Sequence, residues 1–141
     1  MFRLKVREHF DAAHYIKDYK GKCSREHGHR WEVGAVLEGD ELNSMNMLID
    51  FAKVKDILGG LIDTSLDHYQ LNDSIGEANV TAEFLAQWLY RQLKDLFEPE
   101  VQLVSITVWE SPDCCVEYSE ESSIKLEKES LWDRKIFAEV K

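Results

Sequence analysis

The sequence predicts an α+β fold in which a four-stranded antiparallel sheet carries two helices on one face. Three observations support this prediction: two alternating segments near the N-terminus, two helical periodicities in the middle, and two β-prone segments before residue 119. The order strand, strand, helix, helix, strand, strand is typical of an antiparallel sheet with segregated helices. At 141 residues the chain fits one domain. We expect residues 1–118 to form it and residues 119–141 to be an extension packed on it or flanking it.

The first two strands are predicted from alternation of side-chain character. Residues 2 to about 14 alternate between apolar and polar, and a polar loop containing Gly21 follows to about residue 26. The second strand is predicted from about His27 to Glu38. Its apolar positions share the parity of the histidines, so they should lie on the same face as His27 and His29. These positions are Trp31, Val33, Ala35 and Leu37.

Two helices are predicted in the middle of the chain. Asp50 is a plausible N-cap for the first, and Gly59-Gly60 should weaken or kink it. Residues 67–73 are polar and are predicted as a loop. Thr81 can cap the second helix, which should end near Pro99. The apolar faces are predicted from Val54, Ile57, Leu58, Leu61 and Ile62 in the first helix and from Phe84, Leu85, Trp88, Leu89, Leu93 and Leu96 in the second.

The last two strands are predicted over 101–109 and 114–118. From residue 119 onward the charge pattern permits either a terminal helix or a strand. A four-stranded sheet has two open edges, which favours association of several copies of the chain.

Composition excludes several classes of function. No apolar run approaches the roughly 20 residues of a membrane span, and the N-terminus lacks a signal-peptide core, so we expect a cytoplasmic protein. The odd count of three cysteines indicates reduced thiols. A net charge of −10 opposes binding to nucleic acid or anionic membranes. The basic residues between positions 17 and 30 indicate either an anionic small substrate or an ordinary solvated loop. They are Lys17, Lys20, Lys22, Arg25 and Arg30.

The residues that most directly indicate chemistry are the histidines of the His27-Gly28-His29 motif. In an extended segment both imidazoles point to one face, and His14 from a neighbouring strand would complete three nitrogen ligands with an open fourth position. Cys23 lies four residues before His27. It is either a fourth ligand or a separate thiolate beside the metal, and the sequence leaves both alternatives open.

Several short motifs, taken together and in order, resemble the 6-pyruvoyl-tetrahydropterin synthase family over about residues 2–118. Within that family, the short spacing from cysteine to His-Gly-His is most similar to bacterial 6-carboxy-tetrahydropterin synthases of the queuosine pathway. The motifs are Phe10-Asp11-Ala12-Ala13-His14, Cys23 with His27-Gly28-His29, Leu66-Asp67-His68, Leu71-Asn72, Asn79 with Thr81-Ala82-Glu83, and Trp109-Glu110-Ser111-Pro112.

The resemblance implies a tunnelling fold, in which sheets close into a barrel and the chains assemble as trimers or hexamers with interfacial sites. It implies zinc held by His14, His27 and His29, with the substrate at the open position. Cys23 would be the general base. Asp67 and His68 would form the second proton-transfer group.

Glu110 would hold a pterin through its amino-pyrimidinone edge. The implied reaction converts 7,8-dihydroneopterin triphosphate to 6-carboxy-5,6,7,8-tetrahydropterin with release of triphosphate and acetaldehyde. The chain departs from the family at Arg30-Trp31 and Val80. The alternatives are a sister activity that makes 6-pyruvoyl-tetrahydropterin or a folate-pathway intermediate, and a noncatalytic zinc- or pterin-binding module. Three imidazoles would also accept divalent ions other than zinc.

Overall fold

The structure, a computed structural model, describes residues 1–120 and contains one four-stranded antiparallel sheet. The strands are β1 (Phe2–His14), β2 (His27–Gly39), β3 (Gln102–Ser111) and β4 (Cys114–Tyr118). They lie side by side in chain order, so β1 and β4 are the two edges. The prediction of an antiparallel α+β sheet is confirmed. The extension predicted for 119–141 lies, from residue 121 onward, outside the described residues.

Three helices, rather than the predicted two, connect β2 to β3. They are α1 (Phe51–Ser65), α2 (Leu71–Ile75) and α3 (Ala82–Leu93). The predicted caps are confirmed, because Asp50 accepts a hydrogen bond from the backbone N–H of Ala52 and Thr81 accepts one from Phe84. Helix α1 runs through Gly59-Gly60 without a break.

Two expectations for the helical region are wrong. The predicted loop over 67–73 overlaps α2, which Gln70 caps through its side chain and Gly76 ends in the left-handed conformation at φ 79°. Five residues are too few to produce a detectable helical period. Helix α3 ends at Leu93 rather than near Pro99, and Leu96 is 55% exposed because the chain already turns toward β3 there.

The core lies between the helices and one face of the sheet. Alternate residues of β1 and β2 enter it, and cross-strand pairing sets Phe10 opposite Trp31 and Val6 opposite Ala35. Phe10 and Trp31 are almost fully buried. The other face carries charged side chains, including ion pairs between Arg3 and Glu38 and between Arg7 and Glu32.

A glycine substitution tests this account of the helix. A Cβ at Gly59 would meet nothing within 4 Å, so Gly59→Ala should raise the free energy of unfolding by about 0.5–1 kcal/mol through higher helix propensity. Gly39→Ala is the matched contrast. Its Cβ would clash with Leu48 and would lie 2.8 Å from the carbonyl of Glu100, so this variant should be destabilised. Urea unfolding of both variants measures the difference, and equal effects would contradict the packing described here.

Candidate metal centre and active site

The register of β1 on β2 brings three histidines together at one end of the core-facing side of the sheet. His14 pairs directly with His27, and His29 pairs with Ala12, two residues from His14. Ring centroids are 4.4 Å apart for His14 and His27, 4.7 Å for His27 and His29, and 5.2 Å for His14 and His29. The three imidazoles therefore continue the core-facing row that Phe10 and Trp31 begin, with His14 buried and His27 and His29 partly buried.

Backbone carbonyls orient two of the three rings. Nδ1 of His14 lies 2.7 Å from the carbonyl of Val80, and Nδ1 of His27 lies 2.6 Å from the carbonyl of Arg25. A carbonyl can only accept, so each Nδ1 carries the proton and each Nε2 keeps its lone pair. This is the usual arrangement of metal-binding histidines, whose second nitrogen is held by an outer partner.

The free nitrogen atoms indicate what the cluster can bind. Among residues 1–120, Nε2 of His14 and Nε2 of His29 are buried side-chain nitrogens without a hydrogen-bond partner. His14 itself is only 1% exposed. Burial without a partner is costly for a polar atom, and coordination of a divalent ion would satisfy both lone pairs. The donor set therefore fits a metal ion that prefers imidazole ligands.

Glu110 is the fourth member of the cluster. Its carboxylate and the three imidazoles each offer an atom, and these atoms all lie within 4.8 Å of one another. Oε1 of Glu110 is 3.2 Å from Nε2 of His29, although the approach lacks hydrogen-bond geometry. The resemblance assigned Glu110 to substrate binding. Its position also puts a negative charge beside the metal-binding atoms.

The local environment favours neutral imidazoles. Burial lowers the pKa of His14 below its ordinary value, and this effect outweighs the opposing hydrogen bond that His14 donates to the carbonyl of Val80. Burial also lowers the pKa of His29, against the opposing charge of Glu110. A neutral imidazole is the form that coordinates a metal.

Asp67 and His68 dock on the free edge of β1. The backbone N–H of Asp11 donates to Oδ1 of Asp67 at 3.0 Å, and the carbonyl of Asp11 accepts from the N–H of His68 at 2.7 Å. Oδ2 of Asp67 lies 3.0 Å from Nδ1 of His68. The N–H of Asp11, followed by the contact with His68, lowers the pKa of Asp67. A carboxylate is thus positioned to orient the exposed imidazole.

A surface cavity of about 550 Å³ lies beside both groups. His29 and His68 line it, and so do Arg30 and Gln70. A more apolar cavity of about 450 Å³ is lined by Phe2, Leu42 and Phe51 at the other end of β1, far along the strand from His14. The first cavity is the better candidate active site because His29 and His68 border it.

Cys23 lies near this region but outside the cluster. It occupies a 3₁₀ turn (Lys22–Ser24), is half-buried, and its carbonyl accepts from the N–H of Ile16 at 2.8 Å. Within residues 1–120, the group of mutually close ligand atoms that contains the three histidines includes Glu110 and not Cys23. The geometry within one chain thus favours a separate thiol over a fourth metal ligand.

Arg30 is the member of the basic stretch that lines the cavity. Its guanidinium forms no ion pair in the described part of the chain, although Asp11 lies opposite it on β1. Lys17, Lys20 and Arg25 are exposed and do not line the cavity.

The fold and the cluster together define a class: α+β proteins with a cluster of candidate metal ligands at the end of an antiparallel sheet. Residues 3–121 match the family model described as 6-pyruvoyl tetrahydropterin synthase. The chain therefore belongs to the 6-pyruvoyl tetrahydropterin synthase family, as its motifs predicted.

Individual relatives are similar over most of their length. A protein of Synechocystis sp. named 6-carboxy-5,6,7,8-tetrahydropterin synthase is 35% identical over 101 residues, which cover 69% of this chain and 78% of the relative. A Bacillus subtilis protein of the same name is 32% identical over 117 residues, covering 79% of this chain and 80% of the relative. The solved structure of Caenorhabditis elegans 6-pyruvoyl tetrahydropterin synthase aligns with a TM-score of 0.73 at 25% identity, covering 84% of this chain and 95% of the other.

None of the helices within residues 1–120 is long and apolar enough to cross a bilayer.

The lowered pKa values of His14 and His29 predict how the metal-free protein responds to acid. Below the ordinary pKa of 6.5 the unfolded chain takes up protons that these folded imidazoles resist. The free energy of unfolding should therefore fall as the pH drops from 7.5 to 5.5. Thermal unfolding of chelator-treated protein measures this loss.

Two variants test whether His14 contributes to this pH dependence of stability. His14→Gln should lose less stability over the same pH interval, whereas His9→Gln, which changes an exposed histidine of β1, should behave like the wild type. An equal pH dependence in His14→Gln and wild type would contradict the argument.

Proposed function

We propose that the protein is a zinc-dependent lyase that converts 7,8-dihydroneopterin triphosphate to 6-carboxy-5,6,7,8-tetrahydropterin, triphosphate and acetaldehyde, with uptake of water. The observation that carries the proposal is the convergence of three imidazoles, two of them with unsatisfied Nε2 atoms, beside a cavity that His68 also lines. The names of the Synechocystis and Bacillus subtilis relatives support this substrate and product.

His14, His27 and His29 would hold the ion. When bound, a divalent metal supplies Lewis acidity toward substrate hydroxyls and stabilises the negative charge that develops when a neighbouring carbon loses its proton. The carbonyls of Val80 and Arg25 keep the two rings oriented for this task. Burial lowers the pKa of His14, which favours the neutral form that coordinates a metal.

Protons would move through side chains of the protein. Cys23 removes a proton from the substrate side chain as a general base, and His68 exchanges the second proton while Asp67 orients its ring. Glu110 would accept two parallel N–H donors of the pterin edge with its carboxylate oxygens. The reaction needs no redox cofactor, because oxidation of the side chain balances reduction of the ring.

The protein would act as a homo-oligomer in the cytoplasm. Strands β1 and β4 are sheet edges with free backbone groups, and among the described residues, residues 67–70 cover part of β1. Pairing of β4 with β1 of another copy would close a barrel and bring further residues to the site. The three free thiols fit a reducing compartment. Sedimentation of the full chain as a monomer would contradict the assembly.

Replacement of Cys23 tests the reaction. We expect Cys23→Ala to retain zinc and to lose product formation by at least about 10²-fold, because general-base catalysis contributes roughly 10² to 10⁴. The measurement is mass spectrometry of products from 7,8-dihydroneopterin triphosphate, with Cys115→Ala, which removes an exposed thiol of β4, as the control.

Other results of this experiment would favour a different function or a different base. A pyruvoyl product from the wild type would indicate the sister activity, which the name of the Caenorhabditis elegans structure makes the second candidate. Loss of zinc in Cys23→Ala would favour a closed, noncatalytic metal site. Full activity of the variant would exclude Cys23 as the base.

Arg30 is expected to contact the triphosphate, because it lines the cavity and forms no ion pair within residues 1–120. Arg30→Gln should raise KM for the triphosphate substrate about tenfold and leave kcat nearly unchanged, as expected for loss of one charged hydrogen bond. Inhibition by 7,8-dihydroneopterin, which lacks phosphate, should not change. Arg91→Gln on α3 removes an equal charge away from the cavity and serves as the control. An unchanged KM in Arg30→Gln would contradict this role.

A further inference from the structure

Asn72 is a buried polar side chain that joins two loops on either side of the candidate site. It is 5% exposed. Its Oδ1 accepts from the N–H of Tyr15 at 3.0 Å and from Nε2 of Gln70 at 3.2 Å. Its Nδ2 donates to the carbonyl of Tyr15 at 3.0 Å and to the carbonyl of Ala78 at 2.8 Å. Both donors and both acceptor positions of the amide are thus used.

One branch of this network leads to Cys23. The residue after Tyr15, Ile16, donates its N–H to the carbonyl of Cys23 at 2.8 Å and forms a bridge with Asn79. The N–H of Lys17 donates to Oδ1 of Asn79 at 2.7 Å. The beginning of the loop that contains Cys23 is therefore held by Asn79 on one side and by Asn72 on the other.

A second branch leads to His14. Ala78, whose carbonyl Asn72 holds, lies two residues before Val80, whose carbonyl binds Nδ1 of His14. Tyr15 is the residue immediately after His14 and is held by Asn72 through both its N–H and its carbonyl. Asn72 thereby fixes the backbone on both sides of the His14 ring.

We infer that Asn72 is a positioning residue that sets the Cys23 loop and the His14 imidazole relative to each other, although it contacts neither side chain in the hydrogen bonds described. The inference rests on the proposed function for its consequence in catalysis. The claim that Asn72 holds the two backbone segments in place rests on the hydrogen bonds alone. Removal of the amide leaves the N–H and carbonyl of Tyr15 and the carbonyl of Ala78 without their partner.

The test compares Asn72→Ala with Asn43→Ala in the full-length, metal-loaded protein. Asn43 also holds a loop, because its Oδ1 accepts from the N–H groups of Met45 and Met47. That loop precedes α1 and lies away from His14. The first readout is hydrogen exchange of the amides of Ile16 and Lys17, neither of which bonds to Asn72 itself.

We expect exchange at Ile16 and Lys17 to accelerate about tenfold in Asn72→Ala and to stay at the wild-type rate in Asn43→Ala. We expect kcat to fall about 10²-fold with KM nearly constant, since a misplaced catalytic group costs rate rather than binding. In cobalt-substituted protein, the visible absorption bands of the His14 site should shift in Asn72→Ala only.

Unchanged exchange, cobalt spectrum and kcat in Asn72→Ala would overturn the inference. An equal drop of kcat in both variants would also overturn it, because a general loss of stability would then explain the effect. If Asn72→Ala does not fold, Asn72→Ser keeps one donor and should show the same changes at reduced size. Absence of turnover in the wild type would count against the proposed function, while the exchange and cobalt measurements would still decide the role of Asn72.

Discussion

The candidate site depends on the register of β1 against β2. Because side chains alternate along a strand, a slip of one residue would move His14 to the charged face while His27 and His29 stayed on the core-facing side. The register is determined by the apolar pairs that precede the histidines, such as Phe10 with Trp31 and Val6 with Ala35. The same packing that forms the core therefore places three imidazoles in one row, with His14 buried and His27 and His29 partly buried. Burial disfavours protonation of His14 and His29 and leaves Nε2 lone pairs that a metal ion can use.

The segments between the strands complete the site through backbone groups as well as through the side chains of Cys23, Asp67 and His68. The carbonyls of Val80 and Arg25 orient imidazoles, and the edge of β1 at Asp11 holds the Asp67-His68 pair. Such contacts explain how the loops position the reactive groups through main-chain atoms, which every residue carries. They also explain how Asn72 would help to position the Cys23 loop and the His14 ring, although it binds only backbone groups and the side chain of Gln70.

Much of the architecture could be predicted from the sequence, because alternation and capping are local properties. Both N-caps, the four strands and the shared face of His27 and His29 were predictable in this way. The convergence of His14 was not, since it depends on a long-range register. Helix α2 was too short for a periodic signal, and the end of α3 was set by the turn toward β3. The carboxylate of Glu110 beside His29 requires the third strand to be in place, so no local pattern indicated it. Asn72 was visible only as part of a Leu-Asn motif without a role.

We propose that three imidazoles, and no thiolate, hold a zinc ion that keeps a position open for substrate. X-ray absorption at the zinc edge of the reconstituted full-length protein tests it most directly. We expect nitrogen or oxygen scatterers at about 2.0–2.1 Å from zinc, the multiple-scattering pattern of imidazoles, and no sulfur contribution. A sulfur scatterer at about 2.3 Å would place Cys23 in the metal shell and contradict an open catalytic site.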